Sequence, residues 1–507
     1  MSNKTKNILG EYLSKTKRVK QNTAMLAYVA NLTKVAEVVP NIARSIVQEL
    51  ADQRSNLKLI ASENYSSLST QLAMGNLLTD KYAEGFPGHR FYAGCDNIDD
   101  IEAFASEQAC KLFGAEHAYV QPHSGADANV VAFWAILNAR VQTPYLKKLG
   151  EENPVKLSKS DWEDLRAQLG NQKLLGMDMF SGGHLTHTYR WNVSSKMFDA
   201  YSYTVKKETG VLDYDELEKM ALEIKPLIFL VGYSAYPRHI DFKRMRQIAD
   251  KAGAVLMVDM AHFAGLVAGK VFSGVHNPVA YAHVVTTTTH KTLRGPRGGM
   301  ILCTKEFAEH VDKGCPLILG GPLPQMMAAK AVAFTEDCKP AFRAYAKKIV
   351  TNAKALAAAC TKEGIVVATG GTDNHLILVD VRPFGLTGRQ AESSVRECNL
   401  TLNRNSLPFD TQGPWYTSGL RLGTPAVTTL GMGPKEMIEI AAILKLILVH
   451  TKAVIATSGK DKGQMSKAHF VTDPRAKTEA KKRVAILLKR FPVYPELDLV
   501  FLQKHFS

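Results

Sequence analysis

At 507 residues, 46% hydrophobic and 22% charged, the chain is long enough to bury a large core and to divide into about two or three domains. Its seven cysteines are odd in number, scattered and without a C-x-x-C pair, which argues against a disulfide framework or a zinc site and for a reducing cytoplasm. The formal charge of +15 gathers at the ends: residues 1–20 hold Lys4, Lys6, Lys15, Lys17, Arg18 and Lys20 against Glu11, and residues 460–490 are similarly basic. Such clusters either neutralise nucleic-acid phosphates or cover solvated tails and helix faces; no aromatic residues interleave these lysines to stack bases, which favours the second.

The apolar stretch 24–32 is broken by Asn31 and followed by Lys34 and Glu37, so it predicts an amphipathic helix within an N-terminal helical arm, residues 1–54, rather than a leader. Short apolar runs then predict strands at 117–121, 173–179, 227–232, 254–259, 283–287 and 300–304. Helical patterns at 128–141, 214–223 and 242–251 lie among them. This is an α/β pattern with a mostly parallel buried sheet in a large domain, residues 55–340, and in such sheets ligands sit at the carboxyl ends of strands. A smaller α/β domain, residues 341–507, is expected to hold a helix over 341–363, a strand over 376–381 and a helix over 437–449. A polar linker at 458–467 and a basic helix from about Pro474 follow. The 437–449 stretch is the most apolar of all, yet it carries Glu439 and Lys445 and falls short of the roughly 18 residues a membrane span needs.

Several segments can carry chemistry. In TTTTHKT, 286–292, Lys291 at a strand end is able to form an imine with an aldehyde cofactor if its pKa is lowered. Asp259, ending the strand of VDMAH about thirty residues upstream, is either a helix N-cap or the carboxylate that keeps a pyridoxal ring nitrogen protonated. QPHSG, 121–125, joins a strand to a helix, where free N–H groups suit a phosphate. His184 in SGGHLTH, 181–187, is a structural histidine or a flat partner for an aromatic ring. Arg421 in TSGLRLGTP, 417–425, is the fork for a carboxylate or half of a buried ion pair. The loop 81–92, KYAEGFPGHRFY, is a surface turn or a site lining that supplies a carboxyl group and phenols.

Together with LIASENY, SAY and GGP, these motifs stand in the order found in serine hydroxymethyltransferases, and residues 55 to about 445 resemble that family closely. The resemblance implies a fold-type I pyridoxal-phosphate transferase that interconverts serine and glycine, with tetrahydrofolate as co-substrate and with possible side activities on threonine or alanine. It implies a homodimer, or higher oligomer, with active sites at the subunit interface; the cysteine usage, hydropathy and lysine clusters described above add the expectation of a cytoplasmic protein with no membrane or nucleic-acid partner. By position, Lys291 forms the imine, Asp259 holds the pyridine nitrogen, His184 stacks on the ring and His262 approaches the ring hydroxyl. Ser124 and Gly125, with Gly321 of a second copy, cradle the phosphate, and Ser234 and His290 complete the cofactor shell. Arg421, Ser62 and Tyr92 bind the substrate carboxylate. Glu84 moves protons, assisted by Tyr82 and Thr288, while Arg297 orders the loop. Glu84, Asn405 and the backbone at Gly183 and Leu185 contact folate. No metal is implied.

The sequence also departs from the family. Ala126 replaces a serine, Asp127 introduces a charge expected to repel the phosphate, Phe91 replaces a tyrosine, and CPLILGG, 315–321, replaces a glycine-richer loop.

Overall fold

A computed structural model describes residues 7–18, 21–457 and 462–507. Three helices, Ile8–Lys15, Thr23–Val38 and Pro40–Ser55, open the chain; Asn7 and Asn22 cap the first two, and a proline starts the third. Their apolar faces, including Met25, Val29 and Leu50, pack on Leu497, Leu502 and Phe506 near the other end of the chain. Arg54 fastens the two ends by donating to the carbonyls of Val493 and Leu497 at 3.0 and 2.8 Å.

A seven-stranded sheet forms the centre: β1 (His117–Tyr119), β2 (Lys173–Met177), β3 (Asp199–Tyr203), β4 (Ile228–Gly232), β5 (Val255–Asp259), β6 (Val284–Thr288) and β7 (Gly299–Cys303). The spatial order is β1-β7-β6-β5-β4-β2-β3, and only β7 runs against its neighbours. β4 to β7 are buried along their whole length, as their continuous apolar runs require of a sheet covered on both faces. Among the covering helices are Gly125–Leu137, Tyr214–Ile224 and Phe242–Ala252. Six strands fall on predicted runs. β3 was not expected: its sequence DAYSY exposes Asp199 and Ser202, and it pairs only with β2 at the sheet edge.

The second sheet, β8 (Val366–Val367), β9 (Leu376–Asp380), β10 (Asn403–Asn405) and β11 (Gly419–Gly423), has the antiparallel order β8-β9-β11-β10. Helices Pro340–Lys362, Pro434–Val449 and Pro474–Arg490 close over it in a separate apolar core. Burial of Met437, Ile440, Leu444 and Leu448 in that core explains the apolar stretch at 437–449. Among the described residues no helix is long and apolar enough to cross a membrane. The expected linker at 458–467 lies partly outside the described residues, and its far end is corrected: Met465–Thr472 is a strand, antiparallel to Thr451–Ile455. Its outward Lys467 and His469 made a half-exposed strand read as a polar segment. In helix Pro474–Arg490, Ala480, Val484 and Leu487 face the core while Lys481, Lys482, Lys489 and Arg490 face solvent.

The sheet register positions the site. Asp259 ends β5 opposite Gly232 of β4 and Thr286 of β6, so the carboxyl ends of three parallel strands meet there. Gly232 has φ 148°, and a Cβ on it would lie 2.2 Å from the Asp259 carbonyl oxygen. Only glycine lets the two strand ends approach this closely. Gly232→Ala should therefore cost about 2 kcal/mol in urea unfolding by forcing the two strand ends apart; unchanged stability would remove this constraint.

Candidate active site

The carboxylate of Asp259 is buried and held by three donors. Its Oδ1 accepts from the Ala261 amide at 3.0 Å, and its Oδ2 accepts from Asn129 Nδ2 at 3.0 Å and meets His187 Nε2 at 3.3 Å. Burial alone raises a carboxylate pKa, but the hydrogen bond and charge of His187, with His184 and Asn129, hold Asp259 well below the usual range. Asn129 is itself fixed, donating to Thr186 Oγ1 at 2.7 Å and accepting from Thr286 Oγ1 at 2.6 Å. Neither was singled out from sequence, although His187 ends the motif SGGHLTH and Asn129 lies four residues beyond QPHSG.

Lys291, three residues beyond β6, lines a cavity of about 200 Å³ together with Asp259, Ser124, Gly125, Ser234 and Thr288. Burial lowers its pKa to about 8; Arg421 and Arg297 push the same way and Asp259 opposes them. His184 and His262 line the same cavity. His184 caps the short helix Leu185–Thr188 through Nδ1, which accepts from the Thr186 amide at 3.2 Å, and burial brings its pKa down to about 4. The structural reading of this histidine holds: it is a helix cap, and it also lines the cavity.

At one end of the cavity Ser124 caps helix Gly125–Leu137, its Oγ accepting from the Asp127 amide at 3.1 Å and keeping its own proton to donate. A Cβ at position 125 would lie 2.7 Å from Thr288 Cγ2, so glycine brings the helix N-terminus close to the strand end. Asp127 turns toward His123, with Oδ2 and Nδ1 4.0 Å apart. Beneath the loop, buried Lys330 donates to the carbonyls of Pro122 and Gly299 at 3.0 and 2.9 Å and also to that of Val120. Burial lowers its pKa to about 7. This lysine sits in a helix with no motif around it, and only the fold reveals what it holds. His290 Nδ1 is buried without a partner at the cavity wall.

The cavity widens into a chamber of about 450 Å³ lined by Ser62, Gly183, Leu185 and Arg421 as well as Lys291. Arg421 comes from the second sheet. It donates from Nη1 to the Ser234 carbonyl at 2.6 Å and from Nε to Asn403 Oδ1 at 3.1 Å. Among the described residues no carboxylate lies within salt-bridge distance of it, so the ion-pair reading is set aside. Burial brings its pKa to about 10. Asn405 is paired with Gly419, and its amide donates to the Ser406 carbonyl at 2.6 Å.

Tyr82, Glu84, Tyr92 and Gly321 line neither space; they gather elsewhere. The Tyr82 and Tyr92 rings meet edge to face at 5.0 Å, the nearby Glu84 charge raises the Tyr92 pKa, and a Cβ on Gly321 would lie 3.0 Å from the Tyr82 ring. Arg90 braces this loop by donating to the carbonyls of Ala83 and Gly85, both at 2.9 Å, and to Asp99 and Glu102. Cys315, noted above as a departure, links the two loops: its Sγ accepts from the Gly85 amide at 3.4 Å and donates to the Gly320 carbonyl at 2.8 Å.

A strand-end carboxylate held ionised, a lysine of lowered pKa beside it, a helix N-terminus and an imidazole nitrogen without a partner fit pyridoxal phosphate, and with this sheet they define a fold-type I pyridoxal-phosphate enzyme. Comparison with known sequences agrees. The family model described as serine hydroxymethyltransferase matches residues 35–146 and 166–444. A serine hydroxymethyltransferase of Treponema pallidum (strain Nichols) is 60% identical over 499 residues, spanning 98% of this chain and 86% of that protein. One from Salinispora tropica is 54% identical over 478 residues, 94% of this chain and 99% of its own, and one from Chlamydia trachomatis serovar D is 50% identical over 496 residues, 97% and 99%. The chain belongs to the serine hydroxymethyltransferase family, whose members depend on pyridoxal phosphate and use tetrahydrofolate as co-substrate. Residues 147–165, outside the matched stretches, build the turn Pro154–Lys156 and the first part of helix Lys159–Gly170.

An amine of pKa about 8 reacts with an aldehyde only when unprotonated. Capture of pyridoxal phosphate by the cofactor-free protein, followed by stopped-flow absorption, should therefore accelerate as pH rises and level off above about 8, whereas a profile still climbing near 10 would mean that the lysine is not depressed.

Proposed function

We propose that this chain interconverts serine and glycine, with tetrahydrofolate as the one-carbon carrier, and that Lys291 bears the cofactor. The reading is carried by the convergence on one space of a lysine with lowered pKa, an ionised buried carboxylate and a guanidinium with no carboxylate partner. Pyridoxal phosphate, when bound, supplies an aldehyde for the lysine and a protonated ring that accepts the electrons of the bond being broken.

The protein's residues do the rest. Asp259 keeps a proton on the ring nitrogen, which it can do because its own pKa lies far below that of a pyridine. With the cofactor bound, His184 would lie neutral against the ring face and His262 would approach the ring hydroxyl. Ser124 and Gly125 would cradle the phosphate, and Ser234 and His290 would complete the cofactor shell. Arg421 and Ser62 grip the serine carboxylate, and this grip orients the side-chain bond so that it can break. Lys291, with its pKa lowered to about 8, would offer a free amine to hold the aldehyde. Gly183 and Leu185 offer backbone to the folate, with Asn405 beyond them. Thr288, its hydroxyl donating to the Ala261 carbonyl at 3.2 Å, stands ready beside the lysine.

The proton-transfer group Glu84, with Tyr82, Tyr92 and Gly321, reaches this cavity from a second copy of the chain, and Arg297 orders the meeting point. The exposure of Tyr82, Phe91 and Tyr92 at 55, 69 and 48% supports that reading, since apolar surface of this kind is normally covered by a partner. The working unit is accordingly a homodimer. Residues 55–340 carry the cofactor, residues 341–507 deliver Arg421, and residues 1–54 form an arm. Seven free cysteines support a reducing cytoplasmic setting.

Serine cleavage should depend on added tetrahydrofolate; cleavage indifferent to it would point instead to folate-independent aldol chemistry. In the same assay Arg421→Lys should raise the KM for serine by about 100-fold, because a point charge cannot replace a two-pronged grip, with the cofactor absorption unchanged. An unchanged KM would dismiss Arg421 as the carboxylate site. Sharing of sites is tested by mixing two inactive variants, Lys291→Ala and Glu84→Gln, after mild dissociation. About a quarter of the parental activity should return, because half of the dimers carry one intact site; no recovery would mean that each copy serves itself.

A further inference from the structure

His375, at the start of β9, is fully buried, and its ring reaches across to the other sheet. Its Nε2 lies 3.2 Å from Nδ1 of His262, with ring centroids 5.4 Å apart. Both backbones are fixed. Thr292 Oγ1 donates to the His262 carbonyl at 3.0 Å, and the Thr424 amide donates to the His375 carbonyl at 3.0 Å. The neighbouring Asn374 is tied as well, its amide donating to Tyr233 Oη at 3.1 Å and to the Tyr236 carbonyl at 2.9 Å. The two imidazoles are therefore held together by rigid elements rather than meeting by chance.

Both rings are neutral. Burial brings His375 down to about 3 and His262 well below the usual histidine range, with Lys291 and Arg421 pushing both the same way. Between two neutral imidazoles the facing nitrogens share one proton, so one ring donates and the other accepts. The two arrangements differ on the far side of His375, whose Nδ1 is buried without a partner. If His262 Nδ1 donated, His375 would carry its proton on Nδ1 as an unsatisfied buried N–H. If His375 Nε2 donates, that Nδ1 is a bare lone pair. Buried N–H groups without acceptors are the rarer and costlier case, so the second arrangement wins.

We propose that His375 is a positioning residue: by donating from Nε2 to Nδ1 of His262 it fixes the His262 tautomer, so that His262 presents an Nε2–H donor to the Lys291 cavity. The consequence is directional. An oxygen on the bound ring would meet a donor there rather than a second lone pair, and β9, which His375 immediately precedes, also pairs with Arg421 through Leu378. The tautomer itself does not depend on the proposed function; only the identity of the oxygen it meets does.

The test uses full-length, cofactor-free protein labelled with ¹⁵N-histidine, the His262 signals being identified from a His262→Gln spectrum. The parent is expected to show His262 protonated on Nε2. In His375→Leu the preference should be lost and the pyridoxal-phosphate Kd should rise about tenfold, the scale of one hydrogen bond. His375→Gln, whose side-chain amide can donate to the same nitrogen, should restore both. A parental His262 protonated on Nδ1 overturns the proposal, as does a leucine variant with an unchanged tautomer. Should the leucine variant fail to fold, the parental spectrum and the glutamine variant decide. Failure of the parent to bind pyridoxal phosphate, with His262 still protonated on Nε2, would count against the functional reading and leave the tautomer assignment standing.

Discussion

A carboxylate that stays ionised while buried at the end of β5 is the constraint to which the other site residues answer. Removing a charge from water is expensive, and Asp259 is tolerable there only because the Ala261 amide, Asn129 and His187 replace the lost solvent. Around it the balance is cationic: Lys291 and Arg421 line the same space, Arg297 stands at its edge, and Lys330 lies beneath the loop. Burial lowers the pKa of Lys291, Arg421 and Lys330 alike. Glu63, which lines the chamber as well, is already paired with Lys58 at 2.9 Å. A site whose buried anion is outnumbered by reluctant cations is preorganised for anionic ligands, and a phosphate at one end with a carboxylate at the other meets that description.

The two ends belong to different cores. β4, β5 and β6 supply Asp259 and Lys291 from the large sheet, while β11 supplies Arg421 from the small one, and the guanidinium crosses to the Ser234 carbonyl to join them. The Asn374 side chain and the His262–His375 contact make further crossings of this kind. A ligand lying between cofactor and guanidinium is thus gripped by both cores, and their alignment sets its orientation. Asp127, read from sequence as a repulsive charge, sits in the first turn of its helix beside His123, where the helix dipole favours an acid.

Much of this was legible in the sequence because the strands that build the site are buried on both faces and so appear as unbroken apolar runs. Asp259 and Lys291 fall at the ends of two such runs, and a parallel sheet makes neighbours of them. What could not be read depends on contacts distant in sequence. Lys330 resembles any helix lysine until three carbonyls are found around it. His375 lies in a turn whose partner is 113 residues away. Cys315 registered only as a departure, yet it links the Gly85 and Gly320 loops. Arg421 was ambiguous because a chain cannot announce whether a carboxylate will come to meet it. The edge strand β3 and the hairpin strand Met465–Thr472 were missed for a simpler reason: half of their residues face water, so neither gives a clean apolar run.

The placement of the cofactor on Lys291 is what the chemistry depends on. Borohydride reduction of the protein saturated with pyridoxal phosphate, followed by digestion and mass spectrometry, reads that placement residue by residue. A single pyridoxyl group on Lys291 is the expected result. A group found principally on another lysine, or none at all, would contradict it.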